Sequence, residues 1–105
     1  MGFALNAALL DACVLSAVNT SDTYGYELTQ RIRSAFDVSE STLYPVLRRL
    51  EKEGCLKTYD KPFQGRNRRY YAITPQGRKR HGEDTKDWAA FKACVDQLLM
   101  GGQPE

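Results

Sequence analysis

The sequence predicts a mainly α-helical domain with one small β-hairpin. Three observations carry this. Apolar residues recur at helical spacing in four separate segments, and one strictly alternating stretch precedes the last of them. The chain has 105 residues, 42% apolar and 27% charged, the composition of one folded domain.

The first helix is expected over Phe3 to Val18. Leu5, Ala8, Leu9, Ala12, Leu15 and Ser16 follow one helical face, and Leu10, Cys13, Val14 and Val18 a second, so both sides are expected to be covered. Asn19-Thr20-Ser21-Asp22 is a loop, with Asp22 or Thr23 as the cap of a second helix over Tyr24 to Ala35. Tyr24, Leu28, Ile32 and Ala35 are its apolar positions. Ser39 caps a third helix over Glu40 to Glu53, with Leu43, Val46, Leu47 and Leu50 inward and Gly54 as the left-handed stop. Pro45 falls early in that helix, where a missing N–H is expected to cost little.

The hairpin pairs Cys55–Tyr59 with Arg68–Ile73 around a KPFQGRN connection. Tyr70 and Tyr71 read as sheet residues, one of them facing the core. Thr74 caps the last helix, Pro75 suits its first position, and Gly101-Gly102 ends it. Its first half is polar, while Trp88, Phe91, Val95, Leu98 and Leu99 form an apolar stripe on the second. This order describes a winged helix-turn-helix plus a long C-terminal dimerisation helix, because one chain has little left to cover that stripe. Residues 1–74 are expected to form the winged unit and residues 75–105 the dimerisation helix, as one compact body.

Several functions are disfavoured. The three cysteines Cys13, Cys55 and Cys94 are scattered, so neither a disulfide framework nor a zinc site is expected, and each reads as a small buried hydrophobe. His81 stands alone in a polar stretch and reads as a solvated helix residue. No metal or cofactor site, nucleophile–base pair or glycine-rich phosphate loop is found, which argues against an enzyme. No segment approaches the ~18 apolar residues of a membrane span, and the N-terminal stretch is a poor signal peptide, so a cytoplasmic protein is expected.

Charge gives the positive indication. Lys and Arg number 15 against 13 Asp and Glu, a net of only +2. Yet the stretch from Arg48 to Arg80 holds eleven bases and three acids, a local +8, and the remainder carries −6. One sign of charge concentrated beside aromatic residues suits a polyanion such as double-stranded DNA. Ser41, Thr42 and Tyr44 open the third helix where a recognition helix meets base edges, and Arg48 and Arg49 follow within reach of phosphates. Lys61, Arg66, Arg68 and Arg69 make the hairpin a basic wing for the flanking backbone or minor groove. A homodimer would read an approximately palindromic operator. A protein-binding winged helix is the competing class, and the uncompensated bases argue against it.

Three runs, YGYELTQRI, STLYPVLRRLEKEGCL and GRNRRYYAITPQGR, together resemble the PadR family of bacterial transcription regulators. The resemblance extends from about Thr23 to Arg80, and more loosely to Leu99. It implies a dimeric winged-helix repressor, similar to the short subgroup with a single C-terminal helix that includes multidrug-binding repressors. In that subgroup a tryptophan of the last helix stacks planar aromatic ligands across the dimer axis, and Trp88 stands at the matching place. Leu5, Ala8 and Ala12 would complete such an effector site, with Phe91 and Lys92 beside the ring. Lys92 stands where the subgroup has an acid, which favours an anionic or neutral ligand unless Asp11 pairs with it. A ligand-independent regulator, with Trp88 as interface packing, is the alternative.

Overall fold

A computed structural model describes residues 3–101. Its elements run α1 (Ala7–Thr20), α2 (Gly25–Arg33), α3 (Glu40–Lys52), β1 (Leu56–Phe63), β2 (Arg66–Ile73) and α4 (Pro75–Leu99). The fold is the expected one: four helices and a two-stranded antiparallel hairpin in winged-helix order. No helix among the described residues is long and apolar enough to cross a membrane.

The core is a single cluster that all the elements but α4 line with buried apolar side chains. Leu10, Val14, Leu15 and Val18 of α1 meet Leu28 and Ile32 of α2 and Leu43, Val46, Leu47 and Leu50 of α3, with Leu56, Tyr71 and Ile73 of the hairpin closing one side. The α3 stripe is buried as its spacing requires. Ser39 accepts a hydrogen bond from the Thr42 amide, and Gly54 takes φ +83° just beyond the helix.

Five boundaries differ from the sequence expectation. α1 continues past Val18 to Thr20, taking in Asn19 and Thr20 of the expected loop, with the Thr20 hydroxyl donating to the Ser16 carbonyl and Ser21 as the extended cap. α1 starts at Ala7, not Phe3, because the Asn6 side chain caps the Leu9 amide and its own backbone is extended. α2 ends at Arg33, leaving Ala35 and Phe36 outside it and exposed. Neither Asp22 nor Thr23 caps α2. Thr23 exchanges both backbone hydrogen bonds with Tyr71 of β2, and Asp22 accepts from the Tyr59 hydroxyl at 2.7 Å. The hairpin connection is only Gln64-Gly65, both at positive φ as a two-residue primed turn demands. Pro62 is tolerated inside β1 because it pairs with Asn67 at a non-hydrogen-bonded position, one step from the Phe63–Arg66 pair that closes the turn.

Pro45 is the sixth residue of α3, deep enough to leave the Ser41 carbonyl without its helical donor. Both residues are exposed, so water can serve that carbonyl. Gly102 lies outside the described residues. Of the cysteines only Cys55 is buried. Cys13 is half-buried, which pushes its thiol pKa up by desolvation, and Cys94 is exposed on α4. His81 is half-buried, with a ring nitrogen 3.2 Å from the Ser16 hydroxyl.

Two braces fix α4. At its start, Thr74 accepts from the Gly77 amide and donates to the Gly54 carbonyl at 2.6 Å, while Gln76 donates to the Glu53 carbonyl. A Cβ on Gly77 would lie 2.2 Å from the Cys55 carbonyl oxygen, so α4 can seat only where that residue has none. Further along, the Asp11 carboxylate of α1 is ion-paired with Arg49 of α3 and lies 3.9 Å from Arg80 of α4. Arg80 also meets Glu53 at 2.8 Å. Asp11 thus pairs with these two arginines and not with Lys92.

Gly77→Ala is expected to destabilise the fold by about 2–4 kcal/mol, since the clash is with backbone. Gly82→Ala, at an open position of the same helix, is expected to be neutral or to stabilise by up to about 1 kcal/mol. Asp11→Ala leaves two arginines facing an empty site and is expected to cost about 1–3 kcal/mol, discounted because Arg49 is partly exposed. Urea unfolding midpoints at fixed protein concentration check all three.

Candidate nucleic-acid interface

Two candidate surfaces, the start of α3 and the wing, converge on the start of α2. The Tyr44 ring of α3 lies over Gly25, where an added Cβ would come within 2.7 Å of its hydroxyl. From the hairpin, Arg68 and Tyr70 both reach the Tyr24 ring, at 3.9 and 5.4 Å. The Tyr24-Gly25 pair is therefore the point at which both α3, through Tyr44, and the wing, through Arg68 and Tyr70, touch the start of α2.

On α3, Ser41, Thr42, Tyr44 and Arg48 are all exposed. Ser39 is the hub of a hydroxyl cluster, 2.9 Å from the Ser41 hydroxyl and 3.2 Å from that of Thr42. The cluster holds the hydroxyls in place while leaving each lone pairs or a proton for a base edge or phosphate. Arg49 is placed differently. Its ion pair with Asp11 turns it toward α1, away from the other α3 candidates.

The hairpin register sorts the wing into two faces. Leu56, Thr58, Tyr71 and Ile73 face the core. The other face carries Lys57, Tyr59, Lys61 and Phe63 opposite Ala72, Tyr70, Arg68 and Arg66. Tyr59 stacks on Tyr70 at 5.5 Å, and Lys61 lies 5.4 Å above the Tyr70 ring. The hydrogen bond to the Asp22 carboxylate holds the Tyr59 phenol above its usual range. Arg69 meets Asp60 at 3.6 Å with both side chains exposed, a weak pair. Among the described residues, Arg48, Lys57, Lys61 and Arg66 have no acidic partner within 4 Å. The positive charge that the sequence concentrates here is therefore largely uncompensated.

A second concave surface lies between α1 and α4. It is a groove of about 300 Å³ lined by Asn6, Ala8, Leu9 and Ala12 on one side and Asp84, Asp87, Trp88 and Phe91 on the other. A smaller hollow of about 160 Å³ adjoins it across Trp88. The Trp88 and Phe91 rings are 6.2 Å apart and inclined by 39°. Of the sequence candidates, Ala8, Ala12, Trp88 and Phe91 come together here. Leu5 packs against the core cluster instead, and Lys92 is exposed outside the lining. Sequence reasoning missed Asp84 and Asp87, though their positions four and one residues before Trp88 put them on neighbouring helical faces. Asp84 Oδ2 is shielded from solvent and has no hydrogen-bond partner among the described residues.

Beyond Trp88, α4 leaves the body. Phe91, Leu98 and Leu99 are 62%, 83% and 66% exposed. Such a stripe on an isolated chain is unusual for a side of a helix left in water.

The family model of the PadR-like transcriptional regulators matches residues 14–83. A transcriptional regulator of Mycobacterium tuberculosis is 39% identical over 91 residues, covering 86% of this chain and 81% of that one. A crystal structure from Streptococcus mutans superposes with a TM-score of 0.89 at 38% identity, over 100% of this chain and 99% of that one. Bacillus subtilis PadR, solved in complex with operator DNA, shares the fold with a TM-score of 0.66 at 19% identity, over 71% of this chain and 45% of that one. With its winged-helix architecture and a match that spans most of the chain, this protein belongs to the PadR-like family of transcriptional regulators.

Proposed function

We propose that the chain is a homodimeric, sequence-specific regulator that binds double-stranded DNA in the cytoplasm and acts as a repressor. The observation that carries this reading is the meeting of an exposed α3 start and a basic wing, whose Lys61 and Arg66 have no acidic partner among the described residues, at the Tyr24-Gly25 pair. The shared fold of Bacillus subtilis PadR, which was solved on operator DNA, supports it.

In this reading the first turns of α3 enter the major groove, and Ser41, Thr42 and Tyr44 meet base edges or nearby phosphates. Arg48, Lys61, Arg66 and Arg69 supply phosphate contacts. Arg49 serves the fold through Asp11 and touches DNA little. The apolar outer half of α4 pairs with the same half of a second copy, since a two-fold arrangement buries identical stripes at once. Two α3 helices about 34 Å apart then match half-sites one helical turn apart, which makes the operator approximately palindromic.

The groove at Trp88 supports a second layer of function, control by a planar aromatic small molecule. An indole with a tilted phenyl neighbour offers a stacking wall, and Ala8 and Ala12 leave room opposite it. Asp84 and Asp87 line the groove while Lys92 does not, so neutral or cationic ligands fit its charge better than anions. This revises the preference expected from Lys92 in the sequence.

Electrophoretic shift with the gene's own upstream DNA at low salt tests the main reading, and absence of any shift overturns it. Arg66→Ala is expected to weaken binding evenly across sequences and to reduce the slope of log K against log salt by about 1. Thr42→Val is expected to change sequence preference with little change in that slope. Trp88 is the single tryptophan, so its fluorescence reports the groove directly. Planar aromatic compounds are expected to quench it, and a broad panel without quenching would assign Trp88 to packing alone.

A further inference from the structure

We propose that Arg68 is a positioning residue of the wing, a flat cationic wedge that holds the outer half of the hairpin at a fixed angle to α2. This rests on the DNA-binding reading. The guanidinium carbon of Arg68 lies 3.9 Å from the centre of the Tyr24 ring and 3.6 Å from that of Phe63. Both rings are in stacking range of one planar group. The rings come from separate parts of the chain, Tyr24 from the residue before α2 and Phe63 from the last position of β1 before the turn.

The contacts continue inward. Tyr24 meets Tyr70 edge to face at 5.4 Å, Tyr70 stacks on Tyr59 at 5.5 Å, and Tyr59 donates to Asp22. A continuous file of packed groups thus runs from the wing tip to the loop that leads into α2. A two-stranded hairpin is marginal on its own, and the main-chain bridge at Thr23–Tyr71 secures only its base. Arg68 anchors the part beyond that bridge. The side chain is half-buried, whereas Lys61 and Arg66 on the same face are exposed.

Arginine is suited to this place because its guanidinium is flat, delocalised and weakly hydrated, so a ring can cover its face at small cost. A lysine ammonium keeps the charge but has no flat face to lay against two rings at once. If Arg68 were simply a phosphate contact, lysine would replace it well and Phe63 would be irrelevant. The two roles therefore separate under substitutions that preserve charge.

The test compares wild type, Arg68→Lys, Phe63→Leu and the double variant on one operator fragment, across a series of salt concentrations. Unfolding midpoints and near-ultraviolet circular dichroism of the tyrosines are recorded in parallel. Each single variant is expected to bind about tenfold more weakly with an unchanged salt slope. The double variant is expected to be no weaker than about the worse single one, because both break the same contact. Arg68→Lys is also expected to diminish the tyrosine dichroism without moving the unfolding midpoint much. Arg68→Lys binding within twofold of wild type, Phe63→Leu without effect, or additive losses would each overturn the proposal. Failure of the wild-type protein to bind would instead defeat the DNA-binding reading. The dichroism then still judges the wedge, and an unchanged signal in Arg68→Lys overturns it.

Discussion

The Asp11 carboxylate is the constraint on which the arrangement of helices depends. It is the one acid of α1, it is almost fully buried, and its partners come from α3 and α4. Apolar packing can hold helices together, but it tolerates small slides. A buried carboxylate facing two arginines tolerates few, because an unpaired charge at such a site is costly. The cluster therefore sets the register of three helices. It also separates two faces of α1, since Ala8, Leu9 and Ala12 line the groove while Asp11 looks toward α3. Movement of α1 at the groove must pass through the residue that holds α3.

The basic surface depends in turn on what lies beneath it. Tyr44 can approach α2 because residue 25 has no side chain, and the wing can lean on α2 because residue 24 is aromatic. Adjacent residues thus serve as contact points for the two elements that would flank a DNA backbone. Neither contributes charge.

The parts of this fold legible in the sequence are those governed by nearby residues. The α3 stripe, its Ser39 cap, the Gly54 stop and the Thr74-Pro75 start of α4 follow from short-range rules and appear as expected. What escaped was decided by distant partners. Thr23 and Asp22 are good caps by type, but β2 and Tyr59 claim them first. Arg49 resembles its neighbour Arg48 in sequence and differs only because Asp11, far back in the chain, lies beside it. Pro62 suggested a long loop, and the pairing phase of the hairpin made it harmless. At the groove, Trp88 and the small residues of α1 were legible as a pair. Asp84 and Asp87 were not, because acids on a polar half-helix read as ordinary solvated charge until α1 is seen to pack beside them.

The C-terminal helix has a mechanical consequence. It spans 25 residues, about 37 Å at 1.5 Å per residue, yet only its first few turns are bedded against the body. The remainder is a cantilever. A tilt of a few degrees at the bed carries the far end through a displacement on the order of 2 Å, given the length of the free arm. In the proposed dimer the two arms are fastened to each other, so the same leverage runs backwards, and a small adjustment at their junction swings both reading heads. Trp88 sits where bed gives way to arm, at the fulcrum, and an object wedged there would act with the greatest mechanical advantage.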